Sequence, residues 1–214
     1  MLNTAALLPS LIEAVAKTIE NNAEELTELD QAIGDGDHVA NLQRGIQALM
    51  AQSGALSQLD WQAALQKMGM TIMSSIGGAS GSLYGTLFMA MGKNLQNQPL
   101  TLTTFADVFL KGVEAVKQRG KADKGEKTML DVLIPVAGQL HQDATKPSQL
   151  IDLFEQVKQA AIAGAESTRD MVATKGRASF LGERSRGHID AGAKSSQLMI
   201  CALVDALLIW SDYA

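Results

Sequence analysis

The chain has 214 residues, of which 46% are hydrophobic and 19% charged, and its net charge is −5. This apolar fraction is enough to build a core and argues against a disordered chain. The negative charge and the pI of about 5.2 leave no sign of the positive surface that binds nucleic acid or anionic membranes. The lone Cys201 excludes an intramolecular disulfide and is compatible with a reducing cytosol.

Neither end of the chain predicts a targeting or membrane segment. Segment 1–17 lacks a basic start, and Glu13 and Lys17 interrupt its apolar run, so we expect no signal peptide. The most apolar run, Leu198–Trp210, is too short to span a bilayer and contains Asp205. We expect a cytoplasmic protein with one domain over residues 1–214 and no contact with membranes.

Apolar residues recur at helical spacing along most of the chain. The pattern is clear from Leu11, from Trp61 and from Phe105 onward. Further helical segments cover about 38–52, 81–95, 127–142, 148–173 and 193–212. Together they predict an all-α fold of about eight helices, because no run alternates as a half-buried strand does.

Two prolines bear on the ends of these helices. Pro135 lies inside the segment 127–142 and predicts either a kink or a helix that starts late. Pro147, followed by Ser148, predicts a loop and a helix N-cap.

Four segments interrupt the helical pattern, at 29–41, 74–85, 119–128 and 175–196. The last one is long, punctuated by glycine and rich in Arg, Ser and Glu. A loop of that length in a compact domain is usually functional when it is ordered. The sequence therefore predicts an all-α scaffold that carries four special loops.

Three aspartates, Asp30, Asp35 and Asp37, stand close together in the first of these segments, and the glycines between them let the chain turn sharply. Unneutralised carboxylates about 4 Å apart repel by roughly 4 kcal/mol at an effective dielectric near 20, and a bound cation removes that cost. Oxygen ligands alone favour Mg²⁺ or Ca²⁺. The alternative is a solvated acidic turn that caps the helix starting near His38.

The second segment contains a glycine-rich turn, Gly77–Gly81, before a helical pattern that begins near Leu83. Backbone N–H groups at a glycine-rich helix start form an anion site. The alternative is a tight interhelical turn in which the glycines allow close packing. Neither a Walker A motif nor a dinucleotide-binding glycine motif is present in the sequence.

The last segment concentrates positive charge in an acidic protein, at Lys175, Arg177, Arg184 and Arg186. Arginine is suited to bidentate contact with phosphate. The alternative is a solvated surface loop in which Glu183 pairs with Arg184.

In the same segment, His188 and Asp190 are either a base with its orienting carboxylate or a surface histidine near an unrelated aspartate.

The aspartates, the glycine turn and the arginine loop together favour nucleotide–Mg²⁺ chemistry more than any one of them does alone. In such chemistry a metal and protein cations neutralise the charge of a transferring phosphoryl group.

The four segments resemble the loops of the L subunits of bacterial dihydroxyacetone kinases. The matching sequences are LDQAIGDGDHVAN (29–41), MTIMSSIGGASGSLYG (70–85), RGKADKGEKTMLD (119–131) and KGRASFLGERSRGHIDAGAKSS (175–196). They occur in order and span nearly the whole chain. The resemblance implies a closed barrel of eight antiparallel amphipathic helices, with the nucleotide in the connecting loops at one end.

The resemblance also implies roles for individual residues. Asp30, Asp35 and Asp37 match aspartates that hold two Mg²⁺ ions bridging the phosphates of ADP or ATP, and no catalytic side chain is implied on this chain. The residues that match nucleotide contacts are His38, Val39, Ala40, Asn41, Ala79, Ser80, Gly120, Met129, Arg177 (the basic contact), Asp190, Ala191 and Gly192.

Two positions depart from the family's usual pattern. The family usually has Asp-Pro-Gly where this chain has Asp190-Ala191-Gly192. Because alanine can adopt the same φ as proline, the change loosens the turn and removes little chemistry. Arg186, at a position that is commonly apolar in the family, is the second departure and suggests contact with a partner.

In this family another subunit carries the substrate. A K subunit holds dihydroxyacetone covalently on a histidine, and in the phosphotransferase-system version a phosphohistidine on an M subunit recharges bound ADP to ATP. The resemblance implies that version here. The alternatives are a subunit of an ATP-dependent kinase for another short ketose, such as erythrulose, and a regulatory binding protein. A transcription regulator and a second copy of the chain, in a homodimer, are further partners that the resemblance allows.

Overall fold

The structure is a computed structural model that describes residues 5–144 and 150–212, with side chains described as far as residue 209. These residues contain α-helices and two 3₁₀ segments, Thr168–Asp170 and Arg177–Ser185, and no strand, which confirms the all-α prediction. The loop and N-cap predicted at Pro147 and Ser148 lie outside the described residues. The α-helices are α1 (Leu8–Asn21), α2 (Ala23–Ile33), α3 (His38–Met50), α4 (Ser53–Leu56), α5 (Trp61–Ser75), α6 (Gly78–Leu95), α7 (Leu102–Gly120), α8 (Leu130–Asp143), α9 (Leu150–Ser167) and α10 (Ala191–Asp212).

Eight of the helices pack side by side in a closed ring. Contacts run from α1 to α3, α5, α6, α7, α8, α9 and α10 in that order, and α10 packs back against α1. The buried apolar faces of these helices form one continuous core, and α2 packs against α3 and α10. This arrangement agrees with the closed barrel that the resemblance implies.

Neighbouring helices run in opposite directions. At one end of the ring, Thr103 Oγ1 at the start of α7 donates to the carbonyl of Ala144 after the end of α8, at 3.4 Å. At the other end, the N–H of Asp190 before α10 donates to Thr168 Oγ1 after α9, at 3.0 Å. We call this second end the loop end: it carries residues 34–37, 121–129 and 171–190 together with the start of α6.

Glycines permit a close helix–helix approach between α5 and α6. A Cβ on Gly69 would lie 2.9 Å from the carbonyl oxygen of Gly85, and a Cβ on Gly85 would lie 3.0 Å from the carbonyl oxygen of Gly69. Real Cβ atoms are almost never that close to a backbone oxygen. The two backbones therefore pack directly on each other, and Gly85, at the end of the second predicted loop, serves packing.

Helix α8 passes through Pro135 instead of starting after it. It begins at Leu130, so the predicted late start is wrong. Pro135 has no N–H to offer the carbonyl of Asp131, four residues earlier. That carbonyl lies against Gly164 of α9, where a Cβ would not fit. The missing side chain of Gly164 thus leaves room for the carbonyl that lacks the N–H of residue 135.

Two of the four predicted loops are partly helical. Residues 29–33 form the last turns of α2, whose buried face has too few apolar side chains to show a clear period, namely Leu26 and Ile33 beside Asp30. Helix α6 begins at Gly78, not near Leu83. Its first turn is rich in glycine because it packs closely on the residues before the helix: Gly81 lies against the carbonyl of Ile76, where a Cβ would not fit.

Helix α10 is, among the described residues, the one long and apolar enough to cross a membrane by length and composition, over Ala191–Ile209 with a mean hydropathy of 1.4. That stretch is longer than the run Leu198–Trp210 considered from the sequence. In the structure α10 packs against α1 and α9, and its Asp205 pairs with Lys158 of α9 at 2.7 Å. These contacts make it a helix of the ring.

Candidate functional site

The four loop segments predicted from the sequence all meet at the loop end of the ring. Helices α3, α6, α8 and α10 begin there, and α7 and α9 end there. Four helix N-termini at one place offer unpaired backbone N–H groups and the positive ends of helix dipoles, which together favour an anion.

The three predicted metal ligands converge in the turn between α2 and α3. One carboxylate oxygen from each of Asp30, Asp35 and Asp37 lies within 4.8 Å of the other two. Gly36 adopts φ +77° within the turn, a conformation that glycine accepts without strain. Asp30 is buried, and the other two are exposed. Three converging carboxylates suit a hard divalent cation such as Mg²⁺, so the residues present fit the ion that the sequence predicted.

Asp30, not Asp37, caps helix α3. Asp37 occupies the N-cap position without a side-chain capping bond, whereas Asp30 Oδ2 accepts the backbone N–H of His38 at 3.0 Å. The predicted alternative of a capping turn is therefore partly right, and it is compatible with a metal, because a carboxylate accepts several partners.

The arginine loop reaches this acidic turn. Arg177 Nε lies 2.9 Å from Asp35 Oδ2, although the two side chains are 72% and 41% exposed. The structure thus brings the predicted basic contact to the predicted metal ligands. Glu183 pairs with Arg186 at 2.8 Å, and not with Arg184 as the surface-loop alternative expected.

The start of α3 divides into two faces. His38 and Asn41 are buried toward α6 and α10: His38 Nδ1 lies 3.3 Å from Ser80 Oγ, and a Cβ on Gly77 would lie 3.0 Å from Asn41 Oδ1. Val39 and Ala40 instead line a cavity of about 430 Å³ between α2 and α3, together with Gly36. The predicted nucleotide contacts 38–41 therefore do not all face the same side.

The glycine turn opens helix α6. Gly77 is the N-cap, Gly78 adopts φ +67°, and Ala79 and Ser80 belong to the first helical turn. Since a glycine N-cap has no side chain to accept the first N–H groups, these donors stay available to a ligand. The turn packs closely and also leaves N–H donors for an anion. The two interpretations predicted from the sequence, a packing turn and an anion site, therefore do not exclude each other.

The ends of α7 and α8 bring in the last predicted contacts. A Cβ on Gly120 would lie 3.4 Å from Leu83 of α6, and Arg119 Nε donates to Ser82 Oγ of α6 at 2.8 Å. Met129, at the N-cap of α8, is buried, and its backbone nitrogen lies 3.8 Å from where a Cβ on Gly192 would be. Gly120 thus lies beside α6, and Met129 beside α10.

Asp190 caps the last helix. Its Oδ2 accepts the N–H of Ala193 at 2.8 Å, and burial raises the pKa of its carboxyl to about 6. Ala191 is the first helical residue, a position where proline is also well tolerated, so the departure from the family's Asp-Pro-Gly preserves the cap. His188 is exposed, as its surface interpretation expected, and its backbone carbonyl accepts a bond from Lys127 Nζ at 2.5 Å.

Sequence reasoning missed several buried polar residues beneath the loops. Lys127 is 1% exposed, and its ammonium also donates to the carbonyl of Thr168 at 2.5 Å, which ties segment 121–129 to the end of α9. Asp131 is fully buried and accepts the N–H groups of Gly125 and Thr128 at 2.5 and 2.8 Å. The resemblance covered these positions, but nothing in a single sequence marks a charged residue as buried.

A large apolar side chain is highly exposed at this end of the molecule. Phe180, in the 3₁₀ segment after Arg177, is 83% exposed. Single exposed apolar residues are common, and this one lies on the loop that reaches the candidate site.

A family model described as the DAK2 domain matches residues 32–205 of the chain. That match spans all four loop segments except the first residues of the first one. The chain belongs to the DAK2 domain family. The resemblance noted from the loop sequences is therefore confirmed.

Curated relatives within this family agree with that placement. The chain is 42% identical over 186 residues to the ADP-binding subunit DhaL of PEP-dependent dihydroxyacetone kinase 1 from Listeria innocua, covering 87% of this chain and 88% of that subunit. It is also 42% identical over 179 residues to the ADP-binding subunit DhaL of the PEP-dependent dihydroxyacetone kinase from Escherichia coli, covering 83% and 85%.

The fold of this DAK2 domain is also known from crystal structures. It matches the dihydroxyacetone kinase from C. freundii in complex with AMP-PNP and Mg²⁺, with a TM-score of 0.72 and 26% identity. The match covers 94% of this chain and 34% of the kinase chain, so this chain spans about a third of that protein.

Proposed function

We propose that this chain is the nucleotide-binding subunit of a dihydroxyacetone kinase. In this proposal it holds ADP or ATP with two Mg²⁺ ions and provides the phosphoryl group that is transferred to dihydroxyacetone on a separate K subunit. The observation that carries the proposal is the convergence of the carboxylates of Asp30, Asp35 and Asp37 within 4.8 Å, beside an arginine and four helix N-termini. Carboxylates bind the metal, and N–H groups and arginine bind phosphate.

The metal and phosphate part of the site uses three groups of residues. The aspartates hold the Mg²⁺ ions, which when bound neutralise charge on the transferring phosphoryl group. The backbone N–H groups of Ala79 and Ser80 contact the phosphates at the start of α6, where a glycine cap leaves donors free. Arg177 supplies positive charge next to the aspartates, and its pairing with Asp35 supports that position.

The remaining predicted contacts hold the rest of the nucleotide. His38 and Asn41 contact it from the face of α3 toward α6, and Gly120, Met129 and Asp190–Gly192 contact it from α7, α8 and α10. The close approaches of Gly120 to α6 and of Met129 to α10 support a shared role, because they line adjacent parts of the same end. No residue of the described site is assigned as a nucleophile.

The acceptor and the donor belong to partner subunits. The names of the Listeria and Escherichia relatives describe subunits of PEP-dependent kinases, which supports recharging of bound ADP by a phosphohistidine M subunit over the use of free ATP. Exposed Phe180 beside Arg177 supports docking of the K subunit at the loop end. We place the complex in the cytoplasm, where the phosphotransferase system operates.

Mass spectrometry of the purified chain, first native and then denatured, tests this proposal. We expect a native mass that exceeds the chain by one ADP and two Mg²⁺, and a denatured mass equal to the chain alone. If the empty protein also fails to gain this mass after millimolar ADP and Mg²⁺ are added, the nucleotide-binding function is wrong. Binding only on addition would instead favour an ATP-dependent kinase subunit that exchanges its nucleotide.

A further inference from the structure

Segment 171–190, which connects α9 to α10, packs on the end of α2 beside the acidic turn. Ile33 of α2 forms a small buried cluster with Ala173 and Ala178, and this cluster is separate from the main core of the ring. The fully buried Ser185 accepts the backbone N–H of Ala173 at 2.9 Å, which joins the two ends of the segment. The segment is therefore a closed loop with a small core of its own.

Glu126, in the turn between α7 and α8, contacts the first end of this loop. Its Oε1 accepts the hydroxyl of Thr174 at 2.9 Å and lies 3.6 Å from Lys175 Nζ. Its Oε2 accepts the backbone N–H of Asp123 at 2.7 Å, which fixes the carboxylate in its own turn. Because Thr174 is three residues before Arg177, this contact lies next to the predicted basic contact of the nucleotide.

Lys127, the next residue, contacts the other end of the loop. Its ammonium donates to the carbonyls of His188 and Thr168, both at 2.5 Å. Thr168 Oγ1 in turn accepts the N–H of Asp190 at 3.0 Å. The ammonium thus joins the last residues of segment 171–190 to the end of α9.

The type and the conformation of residue 127 are unfavourable for a side chain that only fills space. Lys127 is 1% exposed, and a buried ammonium is tolerated only when it has hydrogen-bond partners. Its φ is +61°, in the left-handed region that side chains other than glycine rarely adopt. The bonds to the two carbonyls offset both costs, so they explain why a lysine stands there.

We propose that Glu126 and Lys127 are positioning residues that hold the two ends of segment 171–190, so that Arg177 reaches the acidic turn. This inference rests on the proposed function, in which Arg177 contacts phosphate. The Arg177 side chain is 72% exposed, yet its Nε lies 2.9 Å from Asp35 Oδ2. Little packing holds that side chain, and its place therefore depends on the backbone that carries it.

Limited digestion with trypsin, without nucleotide, measures how firmly the segment is held. Its cleavage sites Arg177, Arg184 and Arg186 are exposed, but trypsin needs the chain around a site to open locally. Lys127→Met removes the ammonium and keeps a long side chain, so cleavage at these arginines should be about tenfold faster or more. The matched change Lys124→Met, at an exposed lysine of the same turn, should leave the rate unchanged. Equal rates in Lys127→Met and the wild type would overturn the proposal.

Two changes at Glu126 test the first end and keep the proposal testable if Lys127→Met fails to fold. Glu126→Ala removes both carboxylate bonds and should speed the same cleavage about threefold or more. Glu126→Gln should restore the wild-type rate, because its amide oxygen can accept the N–H of Asp123 while its NH₂ donates to Thr174 Oγ1. A wild-type rate in Glu126→Ala, or equal acceleration in both variants, would contradict the proposal.

The affinity for Mg²⁺ and ADP, measured by calorimetry, relates these contacts to Arg177. Arg177→Ala and Lys127→Met should each weaken binding about tenfold. If Lys127 acts by placing Arg177, the double variant should lose less than the product of the two single losses. Losses that multiply fully, or wild-type binding by Arg177→Ala, would overturn the proposal.

Failure of the proposed function gives a different result. If the wild-type chain binds no ADP with Mg²⁺, the nucleotide-binding function is wrong, while the digestion with trypsin still decides whether Glu126 and Lys127 hold the segment.

Discussion

Asp35 forms an ion pair with an arginine of the last loop segment. Its carboxylate is paired with Arg177, and Asp37, two residues further on, is exposed beside it. Since both members of the pair are largely exposed, the ion pair contributes at most about 1 kcal/mol. A divalent ion among the three carboxylates would compete with Arg177 for Asp35. We therefore expect metal binding to release Arg177 toward a phosphate.

The substitution Asp37→Asn tests the metal ligands at the level of one charge. It keeps the size of the side chain and removes a negative charge that faces the ion. In a partly exposed site we expect a loss of about 1–2 kcal/mol, which corresponds to about tenfold weaker Mg²⁺-dependent ADP binding by calorimetry. The control is Asp60→Asn, an exposed aspartate that caps α5 away from the loop end. Unchanged binding in Asp37→Asn would rule out Asp37 as a ligand.

Asp190 makes the stability of the protein depend on pH. Burial raises the pKa of its carboxyl from 3.8 to about 6. Between about pH 4 and pH 6 the unfolded chain loses this proton and the folded chain keeps it, so this group favours folding at low pH and the benefit falls as the pH rises.

Asp190→Asn should therefore be stabilised relative to the wild type as the pH rises. Asparagine is also a good N-cap and can accept the N–H of Ala193, but it does not titrate. We expect the difference in free energy of unfolding, variant minus wild type, to increase from pH 4 to pH 7 in urea titrations. A difference that stays constant with pH would mean that Asp190 is not desolvated.

At this scale the sequence predicted the charged residues that the structure brings together at the loop end, but not the buried residues beneath them. The aspartates and Arg177 stand out because their charges are clustered in glycine-rich segments. Lys127 and Asp131 do not, because their burial is set by helices distant in sequence. The same limit applies to Val39 and Ala40, which the resemblance groups with His38 although they face α2.

Among the helices, α2 and the start of α6 show why periodicity fails locally. The sequence pattern predicts a loop over residues 29–33, because aspartate and glycine follow them. In the structure these residues end α2, and Ile33 is buried. Gly81 breaks the apolar pattern of α6, but the same glycine is what lets the first turn pack against Ile76. The long helices α7 and α9 have uninterrupted apolar faces, and the sequence predicts both of them, although the predicted segment 148–173 extends past the end of α9 at Ser167.

Glycine substitutions in two helices should have opposite effects on stability. Gly69→Ala places a Cβ 2.8 Å from the backbone nitrogen of Met89, so we expect a loss of about 1–3 kcal/mol in the free energy of unfolding. Gly138→Ala in α8 meets no atom within 4 Å and should gain about 0.5–1 kcal/mol. Chemical denaturation measures both, and a stabilised Gly69→Ala would contradict the direct packing of α5 on α6.

For the whole molecule, the ring explains how distant segments form one site. Alternating helix directions bring every second connection to the same end, so segments near residues 35, 80, 125 and 180 become neighbours. The all-α class follows from the sequence alone, and the predicted count of about eight helices matches the ring but omits α2 and α4. The order of contacts around the ring does not follow from periodicity, and only the resemblance to a known family anticipated closure.

The proposed site makes stability depend on ligands. Mg²⁺ with ADP at a hundredfold excess over Kd should stabilise the fold by about 2.7 kcal/mol. For a chain of this size that corresponds to about 5–10 °C in Tm. EDTA should reverse the shift, and ADP without metal should give little of it. A shift that EDTA leaves intact would show that the nucleotide is not held through the acidic turn.

The central claim is that this chain provides the phosphoryl group and a partner provides the acceptor, because positioning of the two dominates such transfer. The most direct test mixes the chain with a K subunit and dihydroxyacetone, adds either ATP or a phosphorylated M subunit, and measures dihydroxyacetone phosphate. We predict sustained product with the M subunit, a single round from bound nucleotide without it, and none when the K subunit is left out. Sustained turnover on free ATP would contradict the donor, and product formed by this chain alone would contradict the whole account.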